Sequence, residues 1–262
     1  MSLKYAIICH YSPIPITYYP LPMTNFLYKY PPLYPGTLIK RYQRFFADIE
    51  LASGELITAH CPNTGPMTGV CIPGNSVLVS YSDNPKRKLA YTWEMIQVCD
   101  TSPTWVGVNT ALPNRVIKLA LEANLFPELG NYQQVKPEVT YGKDKKSRVD
   151  FLLLNETEKI YLEVKNTTWV NGQLALFPDT VTERGQKHLK ELMEMGKEGA
   201  RFVMLYFINR GDCTHFAPGD RADRVYGELL RQALGEGLEI LPCRFEITPQ
   251  GINYLGLAQL QF

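Results

Sequence analysis

Apolar and polar positions alternate through Arg148-Val-Asp-Phe-Leu-Leu-Leu154 and again through Lys159-Ile-Tyr-Leu-Glu-Val-Lys165, with the polar Asn155-Glu-Thr-Glu158 between them. Two short apolar runs separated by a polar four-residue segment predict a β-hairpin. If those four residues are the loop, Leu154 pairs with Lys159, and the same register sets Asp150 opposite Glu163 with Cβ atoms roughly 5 Å apart. Lys165, two residues on, shares the Glu163 face. Val149, Phe151, Leu153, Ile160, Leu162 and Val164 fall on the other face and predict a core.

The pattern on either side differs. Thr37–Leu51, Glu55–Ala59, Ser76–Tyr81 and Ala90–Val98 read as strands, separated by turn signals at Ser53-Gly54, Asn63-Thr-Gly65, Pro73-Gly74 and Asp83-Asn-Pro85. Short strands at that spacing predict a small sandwich or barrel, and an OB-type barrel fits the size. A strand at Trp105–Asn109 precedes a helix over Pro113–Phe126, with Val116, Leu119, Ala120 and Ala123 at helical spacing. Val135–Tyr141 is another strand. After the hairpin, a T-x-x-E box at Thr180 opens a helix to about Lys197, with Leu189, Leu192 and Met193 on its buried side. Arg201–Ile208 is continuously apolar, as a strand covered on both faces should be. A helix over Arg221–Leu234, stopped by Gly235, leads to a strand over Leu238–Phe245. This order predicts parallel pairing within a mixed α/β sheet.

Residues 1–35 carry Pro13, Pro15, Pro20, Pro22, Pro31, Pro32 and Pro35, which exclude helix interior and central strand. They are expected to be a disordered or draped arm. Met23 is a second candidate start. The predicted division is therefore a Pro/Tyr-rich extension at 1–35, an OB-like barrel at 36–103, and a mixed α/β domain at 104–262.

Composition narrows the class. The 262 residues are 45% hydrophobic and 20% charged, with a net charge of +1, so any nucleic-acid surface must be local. Cys9, Cys61, Cys71, Cys99, Cys213 and Cys243 form no CxxC pair and are expected as free thiols in a cytoplasmic protein. No stretch is long and apolar enough for a transmembrane helix, and Tyr5–Cys9 is too short for a secretory signal. His60 beside Cys61 has no second ligand at metal-binding spacing. There is no Gly-rich phosphate loop and no G-x-S-x-G elbow.

Candidate chemistry lies at the hairpin. Two facing carboxylates repel and raise each other's pKa unless a cation sits between them. A hard divalent ion such as Mg²⁺ (or Mn²⁺) suits such a pair and brings substrate phosphate oxygens with it. Lys165 would then stabilise phosphate charge or orient a water. The alternative is a surface ion cluster neutralised by Lys165. Basic residues gather at three places: Lys40, Arg41 and Arg44 among Tyr42, Phe45 and Phe46; Lys86, Arg87 and Lys88 before Tyr91 and Trp93; and Lys143, Lys145, Lys146 and Arg148 beside the hairpin. Cations beside aromatic rings suit single-stranded nucleic acid. A solvated strand edge with core aromatics is the other reading.

Six blocks together resemble the sugar fermentation stimulation protein A family. They are His60-Cys-Pro-Asn-Thr-Gly-Pro-Met-Thr-Gly69, Ser82-Asp-Asn-Pro-Lys-Arg-Lys88, Val108-Asn-Thr110, Arg148-Val-Asp-Phe151, Glu163-Val-Lys165 and Phe177-Pro-Asp-Thr-Val-Thr-Glu-Arg-Gly-Gln-Lys-His-Leu189. The resemblance runs from about Gly36 to Phe245. It implies an N-terminal OB-like domain, a C-terminal core like that of PD-(D/E)xK nucleases, and DNA binding without marked sequence preference, on single or double strands. It also implies that Asp150 and Glu163 are metal ligands and Lys165 the catalytic lysine. Glu138 is the candidate third acid, and Arg184, Gln186 and His188 are candidates to face the site from the following helix. Two readings follow: a Mg²⁺-dependent phosphodiester-cleaving DNA-binding protein, or a non-enzymatic DNA-binding regulator of sugar metabolism genes that keeps the fold alone. A sugar-modifying enzyme has only the family name behind it.

Overall fold

The computed structural model describes residues 26–100, 102–141, 147–197 and 199–262. The first half holds β1 (Tyr28–Lys29), β2 (Leu33–Tyr42), β3 (Phe46–Leu51), β4 (Leu56–His60), β5 (Ser76–Tyr81), β6 (Tyr91–Cys99) and β7 (Pro103–Gly107). Strands β2 to β7 form one sheet in the order β4-β3-β2-β5-β6-β7, and a parallel pairing of His60 with Thr92 joins β4 to β6 and closes a barrel. Its filling is the inward set of alternating side chains: Leu38, Ala47, Ile49, Ala59, Val77, Val79 and Trp93. This is the expected OB-like barrel.

Three expectations are corrected here. The span Thr37–Leu51 is two strands, because Gln43 and Arg44 take left-handed backbone (φ 48° and 64°) and turn the chain into a hairpin. The arm assigned to residues 1–35 carries structure from Tyr28: β1 pairs with a strand near the C-terminus, and Leu33, Tyr34 and Pro35 pair with β5. Pro35 is accommodated because prolines are tolerated where no ladder donor is required. The barrel sheet also runs past residue 103, since Pro103–Gly107 pairs with β6.

The second half holds α1 (Leu112–Glu122), β8 (Gln134–Tyr141), β9 (Ser147–Leu154), β10 (Lys159–Thr167), β11 (Trp169–Asn171), β12 (Leu174–Phe177), α2 (Glu183–Lys197), β13 (Arg201–Ile208), β14 (His215–Pro218), α3 (Arg224–Gly235), β15 (Glu239–Ile247), β16 (Gly251–Leu257) and β17 (Gln259–Leu260). A seven-stranded sheet runs β1-β16-β15-β13-β10-β9-β8. Within it β10, β13 and β15 are parallel and β8, β9 and β10 are an antiparallel meander. On one face lies α1 with Leu78 and Met95 of the barrel; on the other lie α2 and α3. That two-sided cover explains the unbroken apolar run of β13, whose residues Phe202 to Ile208 are all buried. A mixed sheet of this kind, a meander followed by a parallel strand and flanked by helices, is the PD-(D/E)xK nuclease-like core.

Helix boundaries shift for local reasons. Helix α1 stops at Glu122 because Asn124 goes left-handed (φ 51°) just past its end. Its buried side is Val116, Ile117, Ala120 and Leu121, whereas Leu119 and Ala123 face solvent. Thr182, not Thr180, caps α2, accepting from Gly185 N–H through Oγ1 at 3.1 Å. A second, four-stranded sheet, β11-β12-β14-β17, was not anticipated.

The two halves are joined by polar bonds, the first of them buried. Gly107 N–H donates to Asn209 O at 3.0 Å, and Asn209 Nδ2 returns a bond to Gly107 O at 3.1 Å. Arg210, 1% exposed in its side chain, pairs with Asp212 at 2.7 Å and crosses to Asp100 beyond β6 at 2.6 Å. Thr110 Oγ1 donates to Pro62 O in the barrel loop at 2.9 Å.

Candidate functional site

Pairing of β9 with β10 runs from Lys159–Leu154 to Leu162–Phe151, the predicted register, and ends there, one residue short of Asp150 and Glu163. Beyond Phe151 the Asp150 side chain continues the contact: its Oδ2 accepts from Val164 N–H at 2.8 Å. Asn114 Nδ2, from the first turn of α1, donates to Oδ1 at 2.7 Å. Burial, and then the Glu163 carboxylate, push the Asp150 pKa up, while the Val164, Asn114 and Lys165 groups hold it back.

Glu163 is 4% exposed, so this is not a surface ion cluster. Its Oε1 accepts from Lys165 Nζ at 2.7 Å and contacts His188 Nδ1, which lies 3.2 Å from Lys165 Nζ. Burial alone would raise the Glu163 pKa, but the Lys165 charge and the His188 bond outweigh it and hold the carboxyl at about 2. The other oxygen, Oε2, is buried without a hydrogen-bond partner. Arg184 Nε approaches His188 Nε2 at 3.4 Å, one turn earlier on α2.

These groups line a cleft of about 260 Å³ whose walls include Thr110, Asn114, Asp150, Glu163, Lys165 and Arg184. Among the described residues no cluster of three or more His, Cys, Asp or Glu groups forms a ready-made metal cage. Glu138 does not join the pair. The β8–β9 register sets it opposite Asp150, but its backbone is left-handed (φ 52°) and its exposed carboxylate is bonded to Arg148 Nη1 at 2.8 Å. Gln186 also turns away, its Nε2 held by Asp223 at 3.0 and 3.1 Å. Asp223 caps α3 through Tyr226 N–H and bonds Thr182 N–H as well, so it clamps the start of α2.

The basic and aromatic residues sort differently from expectation. Trp93 is fully buried in the barrel and has no face to offer a base. Arg41 is structural: its Nη2 donates to the carbonyls of Asn63 at 2.7 Å and Gly65 at 2.9 Å, tying down the His60–Met67 loop. Lys40 is exposed over the Tyr42 ring at 5.3 Å and pairs with Asp48 at 3.5 Å. Arg44 and Phe45 stand exposed at the hairpin tip. Lys86, Arg87 and Lys88 are exposed, with Arg87 Nη2 bonded to Thr92 Oγ1 at 2.6 Å. The exposed rings near them are Tyr34 and Tyr81, edge to face with each other and with Tyr91. Lys145 and Lys146 lie outside the described residues. Asn114 and Thr110 are site residues that the apolar pattern missed; the Val108-Asn-Thr110 block was the available signal for Thr110.

A closed barrel of OB topology joined to a nuclease-like mixed sheet, with an Asp–Glu–Lys constellation at the meander's edge, defines a two-domain class of protein. Residues 39–108 match the model of the SfsA N-terminal OB domain, and residues 111–251 match that of the sugar fermentation stimulation protein RE domain. The chain belongs to the sugar fermentation stimulation protein family. It is 70% identical to a sugar fermentation stimulation protein homolog of Trichodesmium erythraeum, over 92% of this chain and 98% of that one. The homolog of Trichormus variabilis is 69% identical over 91% and 99%. A solved structure of the Pyrococcus furiosus protein, in complex with Ca²⁺, superposes with a TM-score of 0.81 at 26% identity, over 90% of this chain and 99% of that one. The two matched ranges meet just after β7, the last strand of the barrel sheet.

Proposed function

We propose that the protein binds DNA and hydrolyses phosphodiester bonds at the Asp150–Glu163–Lys165 cleft with a divalent cation, Mg²⁺ or Mn²⁺. The observation that carries this is Glu163 Oε2, a buried carboxylate oxygen with no partner, on the same cleft wall as Asp150. Leaving such an oxygen unpaired is costly, and a cation is the partner that a carboxylate pair lacks. All the donors offered are hard oxygens, and Mg²⁺ uses one or two carboxylates, completing its shell with water and phosphate. Asp150 and Glu163 would hold the ion. When bound it supplies polarisation of a phosphoryl oxygen and a lower pKa for the attacking water. The Ca²⁺ complex of the Pyrococcus furiosus relative is in keeping with a hard-cation site in this fold.

The chain's own groups do the rest. Lys165 holds positive charge at the cleft wall, where it stabilises charge developing on phosphate oxygens or orients the water. Arg184, exposed at the rim, meets a neighbouring phosphate, and the N-terminal turn of α1 adds its partial positive charge. Asn114 and Val164 N–H fix the Asp150 carboxylate, while His188 fixes that of Glu163. The barrel, with Lys40, Arg44 and Lys86–Lys88 exposed, holds the strand by its backbone.

The deciding experiment is a cleavage assay on single- and double-stranded DNA with Mg²⁺, Mn²⁺ or EDTA, comparing wild type with Lys165→Ala. Cutting that needs the metal and disappears in the variant is the expected result. DNA binding without any cutting would leave the non-enzymatic regulator as the reading. That second reading has one observation in its favour: Lys165 is engaged by Glu163 and His188.

A further inference from the structure

The cleft does not end at Lys165. It adjoins a second pocket of about 240 Å³, and Thr110 and Asn166 line both. The far wall is Asn63 from the barrel loop together with Thr167, Trp169 and Asp179. Three distant blocks of sequence meet there: the His60–Met67 loop, the Val108–Thr110 turn and the segment leading into α2. Among the described residues none of those lining it is a lysine or arginine, so it is not built for a phosphate group. Thr167 follows Glu163 and Lys165 along the same face of β10. It is 1% exposed, and its Oγ1 has no hydrogen-bond partner. A buried hydroxyl in that state calls for a partner from outside the chain.

We infer that this pocket seats one unpaired nucleoside beside the phosphate at the Asp150–Glu163–Lys165 cleft, which makes the substrate single-stranded or one with a base turned out of the stack. The inference rests on the reading of the first cleft as a phosphodiester site. Asn63 and Asn166 accept through their amide oxygens from Gly65 N–H and Asn209 Nδ2, and Thr110 Oγ1 donates to Pro62 O, so the two amide nitrogens, the lone pairs of Thr110 Oγ1 and the Thr167 hydroxyl are the groups that match the donors and acceptors of a base edge and its sugar. Half-buried Trp169 supplies an aromatic surface of the kind on which bases stack. The shared wall matters most, because the group bonded directly to a phosphate in nucleic acid is a nucleoside. The pocket is of the scale of one base with its sugar, so a paired base enters only by leaving its partner.

The test is an abasic scan. A short single-stranded oligonucleotide, with one base at a time removed, is titrated against the full-length Lys165→Ala protein in Mg²⁺. One position is expected to weaken binding roughly tenfold, the size of one lost stacking contact. Adding Thr167→Val, nearly isosteric and therefore safe for the fold, or Trp169→Ala should flatten the scan. Thymidine monophosphate should compete and glucose should not. A flat scan with the oligonucleotide still bound overturns the pocket and leaves the phosphate site standing. Failure to bind any oligonucleotide overturns both, and competition by glucose alone overturns the nucleoside assignment.

Discussion

Asn114 Nδ2 donates to Asp150 Oδ1 at 2.7 Å, so the first turn of α1 and the strand β9 meet at a single carboxylate. Asn114→Ala removes that donor and lets the Asp150 pKa, already raised by burial, rise further. Groups that hold a metal ligand in place are typically worth 10–100-fold in affinity. A Mg²⁺ or Mn²⁺ titration by calorimetry should show a loss of about tenfold, with a melting temperature close to wild type because water from the open cleft replaces the amide. Unchanged affinity would reduce the bond to a packing contact.

Asp150 and Glu163 pull stability in opposite directions with pH. Asp150 is raised above its ordinary 3.8, first by burial and then by Glu163, so its ionised form costs stability at neutral pH. Asp150→Asn should therefore melt higher than wild type at pH 7 in EDTA, and the gain should vanish as pH falls below the unfolded value. Glu163 falls from 4.5 to about 2 despite its burial, held by Lys165 and His188. Its contribution is present above 4.5 and lost as pH drops through about 2, so Glu163→Gln should melt lower at pH 7. Mg²⁺ should raise the melting temperature of wild type but not of Asp150→Asn. Melts of the three proteins at pH 7 and pH 3 check both signs.

The parts legible in the sequence are those written by local pattern. The hairpin register follows from alternation and one polar loop, and β13 from a single apolar run. Strands β11, β12, β14 and β17 are two to four residues long and take their pairing from distant partners, so no local period marks them. The inward position of Trp93 follows from barrel closure, which alternation alone does not orient. The outward turn of Glu138 depends on a left-handed backbone that glutamate seldom adopts. Gln186 and His188 were separable in principle. Two residues apart on a helix, they cannot share a face, whereas Arg184 and His188 at i and i+4 can.

Arg210 is the buried charge at the domain seam, reaching Asp100 on one side and Asp212 on the other. Burial lowers an arginine's pKa, but here the two carboxylates more than compensate and the shift is upward. Arg210→Ala leaves Asp212 nearly buried without its cation and should cost about 3 kcal/mol, the lower end for a broken buried pair because Asp100 is partly in water. Arg210→Lys should recover little, since Nε and Nη2 bond Asp212 in a fork that an ammonium lacks. Urea denaturation of the variants decides this, and full recovery by lysine would reduce the seam to simple charge balance.

The loop carrying Lys86, Arg87 and Lys88 offers a direct measure of phosphate contact. All three are exposed, and the Arg87 bond to Thr92 fixes one of them in place before any ligand arrives. Each phosphate neutralised contributes a slope of about −0.7 on single strands and −0.9 on duplex in log affinity against log salt. Replacing all three with alanine should therefore flatten the slope by about 2 on a single strand. Affinity should fall most at low salt and least at high salt. Arg41→Ala tests the opposite case, because that guanidinium is occupied by the Asn63 and Gly65 carbonyls. Its loss should loosen the His60–Met67 loop, leaving the salt slope unchanged while weakening affinity equally at every salt concentration. A flattened slope in Arg41→Ala, with none in the triple variant, would move the backbone-binding surface from the Lys86–Lys88 loop to the β2–β3 hairpin.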